Sequence, residues 1–268
     1  MTEELVALSA RLRATAADAA VEAGERVLAA FREGVVAEQK SGAHDLVTEH
    51  DRRTEAFLRA RLTAAFPGSA VHGEEDGRVG EGEITWYVDP IDGTNNFAAG
   101  VPFFCVSIAA VAEGRVVAGA VVDPVRSEVF AADLAGASLN GRSLAAAGAS
   151  CDAGALLATE FPGHRPWSGD DGALFVELVR SFGTVRRLGS GALALAYVAA
   201  GRVDVTFGVR TNPWDVAAGI LLVQAAGGTY LPLPSSHAER PWEAPAYVAH
   251  VAGFDLDGSA LAEVSASE

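Results

Sequence analysis

The chain has 268 residues, of which half are apolar and 21% are charged, so it is not an intrinsically disordered protein and can bury a sizeable core. Its 35 acids against 20 bases give a formal net charge of −15. Because proteins that bind nucleic acids or anionic membranes need excess Lys and Arg, we expect neither partner. Acidic side chains can still handle phosphate by holding metal ions that in turn bind it.

Targeting and disulfide signals are weak in this sequence. The start, Met1-Thr2-Glu3-Glu4, lacks the basic and apolar blocks of a secretory signal. The longest mostly apolar stretch, residues 98–112, falls short of the ~18 residues that a membrane-spanning helix needs. Only Cys105 and Cys151 are present, which argues against a disulfide framework or a cysteine-based zinc site. We therefore expect a soluble, cytoplasmic protein.

The first half of the chain begins with helical patterns and continues with short strands. Apolar residues recur every three or four positions from Leu5 to Phe31, which predicts an amphipathic helix. A loop is expected over 40–43, and Thr48-Glu49-His50-Asp51 has the spacing of a capping box for a second helix that ends before Pro67. Runs rich in Val, Ile and aromatics then predict strands over 69–72, 84–88, 103–111, 116–122 and 128–132, and the turn signals Glu113-Gly114 and Asn140-Gly141 indicate antiparallel hairpins.

The second half alternates between strands and helices. The patterns predict strands over 185–188, 203–207 and 229–231, with helices over 192–200 and 216–226. This alternation is typical of an α/β arrangement. We predict two halves: residues 1–145, a helical and antiparallel-sheet (α+β) half with most of the candidate ligands, and 146–268, an α/β half that closes the site.

The string Asp89-Pro90-Ile91-Asp92-Gly93-Thr94 directly follows an apolar run. Pro90 lacks a backbone N–H, so we expect the strand to end there with both carboxylates at its rim. Gly93 allows a close turn, and the backbone amides that follow can converge on an oxyanion. Asp-Gly alone usually marks a simple turn, but the whole string after a buried strand favours a functional site.

Three further acids, Glu74, Asp51 and Asp215, gain significance when they are considered with Asp89 and Asp92. Taken singly, they are explained by a solvated loop, by first-turn helix charge and by a helix cap. If they converge, two carboxylates ~5 Å apart repel by about 3 kcal/mol at an effective dielectric of 20. Since no Lys or Arg adjoins the string, such a cluster requires cations, and all-oxygen ligands suit Mg²⁺ or Mn²⁺. Two such ions can activate water and stabilise the leaving oxygen of a phosphate ester.

Together these motifs resemble the inositol monophosphatase family. The string Asp89 to Thr94 with Asn96-Phe97 is similar to the family's first signature, and Trp214-Asp215-Val216-Ala217-Ala218-Gly219 is similar to its second. The remaining motifs follow in the family's order and approximate spacing over roughly residues 5 to 265; they are Lys40 with Asp45-Leu46-Val47-Thr48 and Asp51, Gly73-Glu74-Glu75, and Leu188-Gly189-Ser190.

The resemblance implies a role for each matching residue. Glu74, Asp89 and the Ile91 carbonyl would hold a first metal ion, and Asp89, Asp92 and Asp215 a second. Thr94 and Glu74 would orient and deprotonate the attacking water, assisted by Asp51. The substrate would contact, through side chains or backbone amides, Asp92, Gly93, Thr94, Gly191 and Asp215, and a further contact is assigned to Arg210.

The resemblance also implies the fold and the reaction. The fold would be the layered αβαβα sandwich shared by inositol monophosphatases and fructose-1,6-bisphosphatases, in a homodimer. The protein would be a lithium-sensitive phosphoric monoester hydrolase that uses two or three Mg²⁺ ions, with Mn²⁺ as an alternative, on inositol monophosphate or a related polyol or sugar phosphate. Histidinol phosphate and 3′-phosphonucleotides are alternative substrates within the family.

Two positions depart from the family pattern. Asn95 replaces a residue that is commonly Thr, Leu or small, with little expected effect. Family members that act on inositol phosphates often carry an acid about seven residues before the Trp-Asp aspartate, where this chain has Gly208. The difference puts strict inositol specificity in question, and Arg210 is a candidate contact for an anionic or hydroxyl-rich part of the substrate instead.

Other function classes are less consistent with the residues. Phosphatases with an Asp-x-Asp nucleophile pair are excluded because Pro90 stands two positions before Asp92. Gly189-Ser190-Gly191 has the wrong spacing for a serine hydrolase. A binding or regulatory homologue without catalysis is the alternative of another class. Such a protein should have lost ligands, whereas all five acids are present.

Overall fold

The computed structural model describes residues 2–34, 37–42, 45–163 and 168–266, without the side chains of 37–42, 45–48 and 265–266. The expected N-terminal helix is present and buries one face, with Leu12, Ala16 and Ala23 fully inaccessible to solvent. The helices of the described ranges are α1 (Glu3–Glu33), α2 (Glu49–Ala65), α3 (Thr94–Ala99), α4 (Gly169–Ser181), α5 (Gly191–Ala199), α6 (Pro213–Ala225) and α7 (Ala262–Ala266).

The first ten strands form a short hairpin and one large sheet. Strands β1 and β2 pair with each other, and the large sheet has the order β10-β9-β8-β7-β6-β5-β3-β4. Neighbours in this sheet are antiparallel except for β3 and β5. The strands are β1 (Ala37–Gly42), β2 (Asp45–Thr48), β3 (Ala70–Gly73), β4 (Gly77–Val79), β5 (Ile84–Asp92), β6 (Cys105–Ala112), β7 (Arg115–Asp123), β8 (Glu128–Asp133), β9 (Gly136–Leu139) and β10 (Arg142–Ser143).

The second half of the chain forms a five-stranded mixed sheet. Its order is β12-β11-β13-β15-β14, in which β11 is parallel to both of its neighbours and β15 is antiparallel to its own. The strands are β11 (Leu156–Thr159), β12 (Thr184–Arg186), β13 (Val205–Val209), β14 (Thr229–Leu233) and β15 (Ala246–His250). The α/β arrangement that was predicted from the alternation of strands and helices is therefore confirmed for this half.

The elements stack in five layers. Helices α1 and α2 pack on the large sheet, and α5 and α6 contact both that sheet and strands of the smaller one. Helix α4 contacts the edge strand β12 of the smaller sheet. This is the expected αβαβα sandwich, and one apolar cluster around α5 and α6 joins residues of both sheets. The proposed division at residues 145 and 146 falls between the two sheets but stays a prediction.

Two local expectations were wrong. The backbone of 37–42 and 45–48 forms a hairpin where a loop was expected, and the side chain of Lys40 lies outside the described residues. Strand β5 does not end at Pro90 but continues to Asp92. The pairing with β6 shifts register between Asp89 and Asp92, so the proline that lacks an N–H sits within an irregularity of the ladder.

Candidate active site

The irregular end of β5 carries two of the candidate ligands. Asp89 lies opposite Ser107 and Asp92 opposite Cys105, so three steps along β5 match two along β6. In a regular strand, residues three apart point to opposite faces. The extra residue changes this alternation, and both Asp89 and Asp92 line the same cleft.

Hydrogen bonds fix one oxygen of the Asp92 carboxylate. Its Oδ2 accepts from the Ser190 hydroxyl at 2.5 Å and from the Ala192 backbone N–H at 2.8 Å, with the Cys105 thiol at 3.7 Å. Ser190 is also the N-cap of α5, where its hydroxyl accepts from a backbone N–H. The start of α5 therefore sets the orientation of Asp92 across the two halves of the chain.

Glu74 lies in the turn after β3, and a buried glutamate on α2 holds this turn in place. Glu55 on α2 is fully buried and accepts hydrogen bonds from the backbone N–H groups of Glu75 at 2.7 Å and Asp76 at 3.0 Å. Arg59, one helical turn further, bonds to Glu55 at 2.7 Å and pairs with Asp76 at 2.9 Å. The turn after β3 is therefore tied to α2 through the two residues that follow Glu74.

The Thr94 hydroxyl lies between two candidate groups. Its Oγ1 is 2.9 Å from the Ile91 carbonyl oxygen and 3.3 Å from Asp51 Oδ1. Asp51 is 1% exposed and lies in the first turn of α2, so it reaches the site through Thr94. Gly93 precedes Thr94 with φ of +96°, and a Cβ there would stand 3.0 Å from the Gly189 carbonyl, so glycine is required.

Asp215 belongs to the start of α6. Asn212 is the N-cap, Pro213 follows within the first turn, and the Asp215 carboxylate accepts from the Asn212 backbone N–H at 2.7 Å, which completes a capping box. Asp215 therefore caps the helix, as one interpretation of the sequence predicted, and also lies in the candidate site. Its Oδ2 serves the helix end, while the residue also lines the cleft.

The expected site residues meet at one cleft of about 930 Å³. All but one of them line it: Glu74, Asp89, Ile91, Asp92, Gly93, Thr94, Gly191, Arg210 and Asp215. Asp51 is absent from the lining and contacts it through Thr94. The structure thus brings these residues together, while the role of each remains a prediction.

The carboxylates of the cleft disfavour their own ionisation. Burial raises the pKa of Asp89 well above its ordinary value, and the charges that raise it further are those of Glu74, Asp92, Asp215 and Asp51. Burial likewise raises the pKa of Asp215, with Asp92 as the next cause. The pKa of Asp92 is also raised by burial, opposed by its bonds to Ser190 and Ala192. Each charged form therefore needs positive charge nearby.

The donor set fits divalent cations of the Mg²⁺ type. It consists of carboxylate oxygens and a backbone carbonyl, and the largest electrostatic influences on Asp89 all come from other acids. Among the residues that the structure describes, no three His, Cys, Asp or Glu side chains already stand close enough to hold one ion.

Sequence reasoning missed several residues of the site. Glu160 lines the cleft and accepts from the Gly189 N–H at 2.6 Å, and burial raises its pKa. Tyr247 and Thr206 also line the cleft, from β15 and β13. Glu160 follows a strand that was not predicted, so only the Thr159-Glu160-Phe161 string after an apolar run gave a signal.

The structure also locates Gly208, which departs from the family pattern, and the candidate contact Arg210. Gly208 is buried on β13, and the direction of a side chain there is occupied by the Tyr247 ring. Arg210 is exposed, lines the cleft and has a left-handed φ of +58°.

Among the described helices, none has the length and apolar character needed to cross a bilayer.

Comparisons with known proteins agree with the geometry. The family model described as "Inositol monophosphatase family" matches residues 9–263. The chain is 43% identical over 229 residues to Nus factor SuhB of Pseudomonas aeruginosa, covering 82% of this chain and 84% of that protein. It is 41% identical over 194 residues to inositol-1-monophosphatase of Mesorhizobium japonicum, covering 70% and 72%.

Solved structures show the same fold. The extragenic suppressor protein suhB of Bartonella henselae superposes with a TM-score of 0.82 at 30% identity, covering 90% of this chain and 94% of that one. The relatives thus match most of this chain in sequence, and the solved structure matches it in fold. The chain belongs to the inositol monophosphatase family.

Proposed function

We propose that this protein is a Mg²⁺-dependent phosphomonoesterase that hydrolyses inositol monophosphate or a related polyol or sugar phosphate. Membership of the family supports phosphatase chemistry. The observation that carries the proposal is the group of acids around one cleft, in which Asp89 is 2% exposed and its pKa is raised by burial and by the charges of four other acids. Such a group is stable in its charged form only with cations.

The proposed metal ligands follow the positions around the cleft. Glu74, Asp89 and the Ile91 carbonyl would hold one ion, and Asp89, Asp92 and Asp215 another. When bound, Mg²⁺ would lower the pKa of a coordinated water and offset negative charge on the phosphate and leaving oxygen. Lithium sensitivity and the use of a third ion or of Mn²⁺ stay expectations from the family.

The protein's own groups would orient the nucleophile. Thr94 has a single hydroxyl hydrogen and two acceptors within 3.3 Å, the Ile91 carbonyl and Asp51. When that hydrogen points to Asp51, the oxygen lone pairs can accept a hydrogen bond from a water in the cleft. We propose that Thr94 orients this water and that Glu74 takes its proton, while Asp51 holds Thr94 in place.

Phosphate binding is proposed for the turn after β5. The backbone N–H groups of Gly93 and Thr94 lie where the chain turns sharply from β5 into α3, at the cleft. Gly191, at the start of α5, and Arg210 are the proposed contacts on the opposite segment of the lining. Direct attack by water leaves no covalent intermediate, so a phosphoenzyme trapped on Asp92 would contradict the mechanism.

The test of this function is Mg²⁺-dependent release of phosphate from myo-inositol 1-phosphate. We expect Asp92→Asn to lower kcat by roughly a hundredfold or more, since it removes a charge that must be matched by cations. Asp170→Asn is the matched control because Asp170 is an exposed first-turn residue of α4. Equal rates for Asp92→Asn and the unaltered protein would contradict a catalytic site at this cleft.

The substrate is tested with a panel of esters. It should include myo-inositol 1-phosphate, glycerol 2-phosphate, histidinol phosphate and a 3′-phosphonucleotide. We expect the polyol esters to be preferred. A preference of roughly a hundredfold for histidinol phosphate or the nucleotide would replace the first-choice substrate with that alternative.

A binding or regulatory role is the alternative function. Relatives carry the name Nus factor SuhB, which states no enzymatic activity, while another is named inositol-1-monophosphatase. The acids expected of an active enzyme all lie at the cleft or in contact with it, which favours catalysis. A cytoplasmic homodimer is our further proposal, and the expectation that nucleic acid is not a partner still depends on the charge of −15.

A further inference from the structure

Glu160 and Gly208 lie side by side at the edge of the cleft. Strands β11 and β13 are parallel, and their last paired residues are Thr159 and Phe207. Glu160 follows Thr159 directly, and Gly208 follows Phe207. Both residues line the cleft. A carboxylate at position 160 is therefore one strand away from position 208.

Position 208 itself is closed to any side chain. A Cβ there would lie 2.2 Å from Cε1 and 2.7 Å from Cζ of Tyr247, which pairs with Gly208 in the antiparallel register. The Tyr247 ring is 1% exposed and stacks on Tyr230 with centroids 5.0 Å apart. Because the ring is packed on its other face, it cannot move aside cheaply, and no group from position 208 can reach a substrate.

The Glu160 carboxylate, in contrast, is accessible. The side chain of Glu160 is 37% exposed to solvent, and its Oε1 accepts a hydrogen bond from the Gly189 N–H at 2.6 Å. Oε2 lies 4.0 Å from the Arg187 guanidinium, which is beyond hydrogen-bond distance. The bond from the Gly189 N–H helps to orient the carboxylate, and Glu160 lines the same cleft as the metal-type carboxylates.

We propose that Glu160 binds a hydroxyl group on the alcohol part of the substrate. This inference rests on the proposed phosphatase function and deepens it, because it names the substrate class as a phosphate ester whose alcohol carries further hydroxyls. A carboxylate held by a backbone N–H is a strong acceptor for a hydroxyl donor. No covalent step is assigned to Glu160, so it acts in recognition.

The test compares two esters that differ in the alcohol. Myo-inositol 1-phosphate carries hydroxyls beside the phosphate, and phenyl phosphate carries none. Glu160→Gln keeps the side-chain shape and an acceptor for Gly189 but removes the charge. We expect it to raise KM for the inositol ester about tenfold or more while kcat/KM for phenyl phosphate changes less than about twofold. Glu177→Gln, on exposed α4, is the matched control.

A second measurement makes the result independent of turnover. Binding of free myo-inositol to the protein, followed by ligand-observed NMR, should weaken about tenfold in Glu160→Gln and stay unchanged in Glu177→Gln. An equal loss with both esters would mean that Glu160 only holds the Gly189 segment, and that result overturns the proposal, as does unchanged inositol binding. If the unaltered protein hydrolyses neither ester, the phosphatase function fails, whereas the inositol-binding comparison still decides the role of Glu160.

Discussion

At the scale of single residues, two carboxylates of the cleft each have both a structural role and a place in the candidate site. Asp92 uses one oxygen to receive bonds from the start of α5, and Asp215 uses one oxygen to cap α6. In both cases the capping contact fixes the carboxylate and leaves the other oxygen for the site. A cap explanation therefore does not argue against a ligand role, because a carboxylate has two oxygens and about four lone-pair directions.

The raised carboxylate pKa values predict a pH-dependent effect of Mg²⁺ on stability. Burial raises the pKa of Asp89, Asp92 and Asp215 in the folded state, and the charges of neighbouring acids raise that of Asp89 and Asp215 further. Above the ordinary carboxyl pKa, the folded chain then binds more protons than the unfolded chain, so stability falls as pH rises through that window. We expect the increase in Tm on replacing chelator with excess Mg²⁺ to be larger at pH 7.5 than at pH 5.5.

Calorimetry or dye-monitored melting at the two pH values checks this expectation. The Asp89→Asn variant is the comparison, since it removes one of the mutually repelling charges and should reduce the pH dependence in chelator. A Tm increase from Mg²⁺ that is the same at both pH values would contradict the assignment of a cation site to these acids.

Gly208 gives a second prediction at this scale. Gly208→Ala would place a methyl group 2.2 Å from the Tyr247 ring, so we expect overpacking to cost about 1–3 kcal/mol in the free energy of unfolding. Gly172→Ala is the control because no atom lies within 4 Å of its Cβ position in α4, and it should stabilise by about 0.5–1 kcal/mol. Urea unfolding measures both, and equal midpoints would show that Tyr247 moves aside freely.

At the scale of elements, the clamp between α2 and the turn after β3 predicts a role for Glu55 in metal binding. Glu55→Gln retains one acceptor but loses its pairing with Arg59 and one bond to the turn. We expect the turn that carries Glu74 to loosen and Mn²⁺ binding to weaken about tenfold. Calorimetric titration with Mn²⁺ measures the affinity without turnover, and the kcat on saturating Mg²⁺ should fall less than the affinity.

Glu22→Gln serves as the control for that clamp. Glu22 also pairs with an α2 arginine, Arg61 at 3.2 Å, but on the helix surface away from the cleft. Its replacement should leave Mn²⁺ binding unchanged. If both variants bind Mn²⁺ as well as the unaltered protein, the position of Glu74 does not depend on Glu55.

The sequence allowed elements with a strong local pattern to be predicted. Apolar spacing identifies α1, and alternating apolar runs identify β5 to β8. The hairpin formed by 37–42 and 45–48 was missed because its residues are mostly polar. The parallel strand β11 was also missed, since it lies between β12 and β13, whose paired residues are 28 and 48 positions away in the chain. The same long-range pairing explains why Glu160 escaped notice.

The residues of the candidate site also differ in whether the sequence alone identifies them. The acids in recognisable strings were identified from the sequence, whereas Glu55, Tyr247 and the bond from Ser190 to Asp92 were not. Their importance arises from contacts across 20 to 98 positions of the chain or from cross-strand pairing. The resemblance to the family supplied roles for the acids. Local periodicity alone would have indicated only charged residues at the ends of strands.

At the scale of the whole molecule, the two halves share one core. The apolar cluster around α5 and α6 includes Tyr87 and Phe130 of the large sheet together with Leu157 and Val205 of the small one. Arg202 also joins the halves through two 2.6 Å bonds to Glu128. We therefore expect the halves to unfold together rather than as separate domains.

Two buried tryptophans report on this expectation. Trp86 lies in β5 of the large sheet, and Trp242 packs beside α6 and β14. In variants that retain either Trp86 or Trp242 as the only one of the chain's four tryptophans, fluorescence and circular dichroism should give coincident urea midpoints within each variant. Midpoints that differ by more than about 0.5 M would instead indicate domains that unfold independently.

The extra residue in the ladder between Asp89 and Asp92 implies a trade-off between stability and activity. Removing one residue there would allow β5 to pair regularly with β6, and a regular ladder gains backbone hydrogen bonds. The same deletion would turn Asp92 to the opposite face of the sheet, away from Ser190 and the cleft. Selection for a more stable strand thus acts against the site, so an engineered stabilisation of this sheet should leave residues 89–92 untouched.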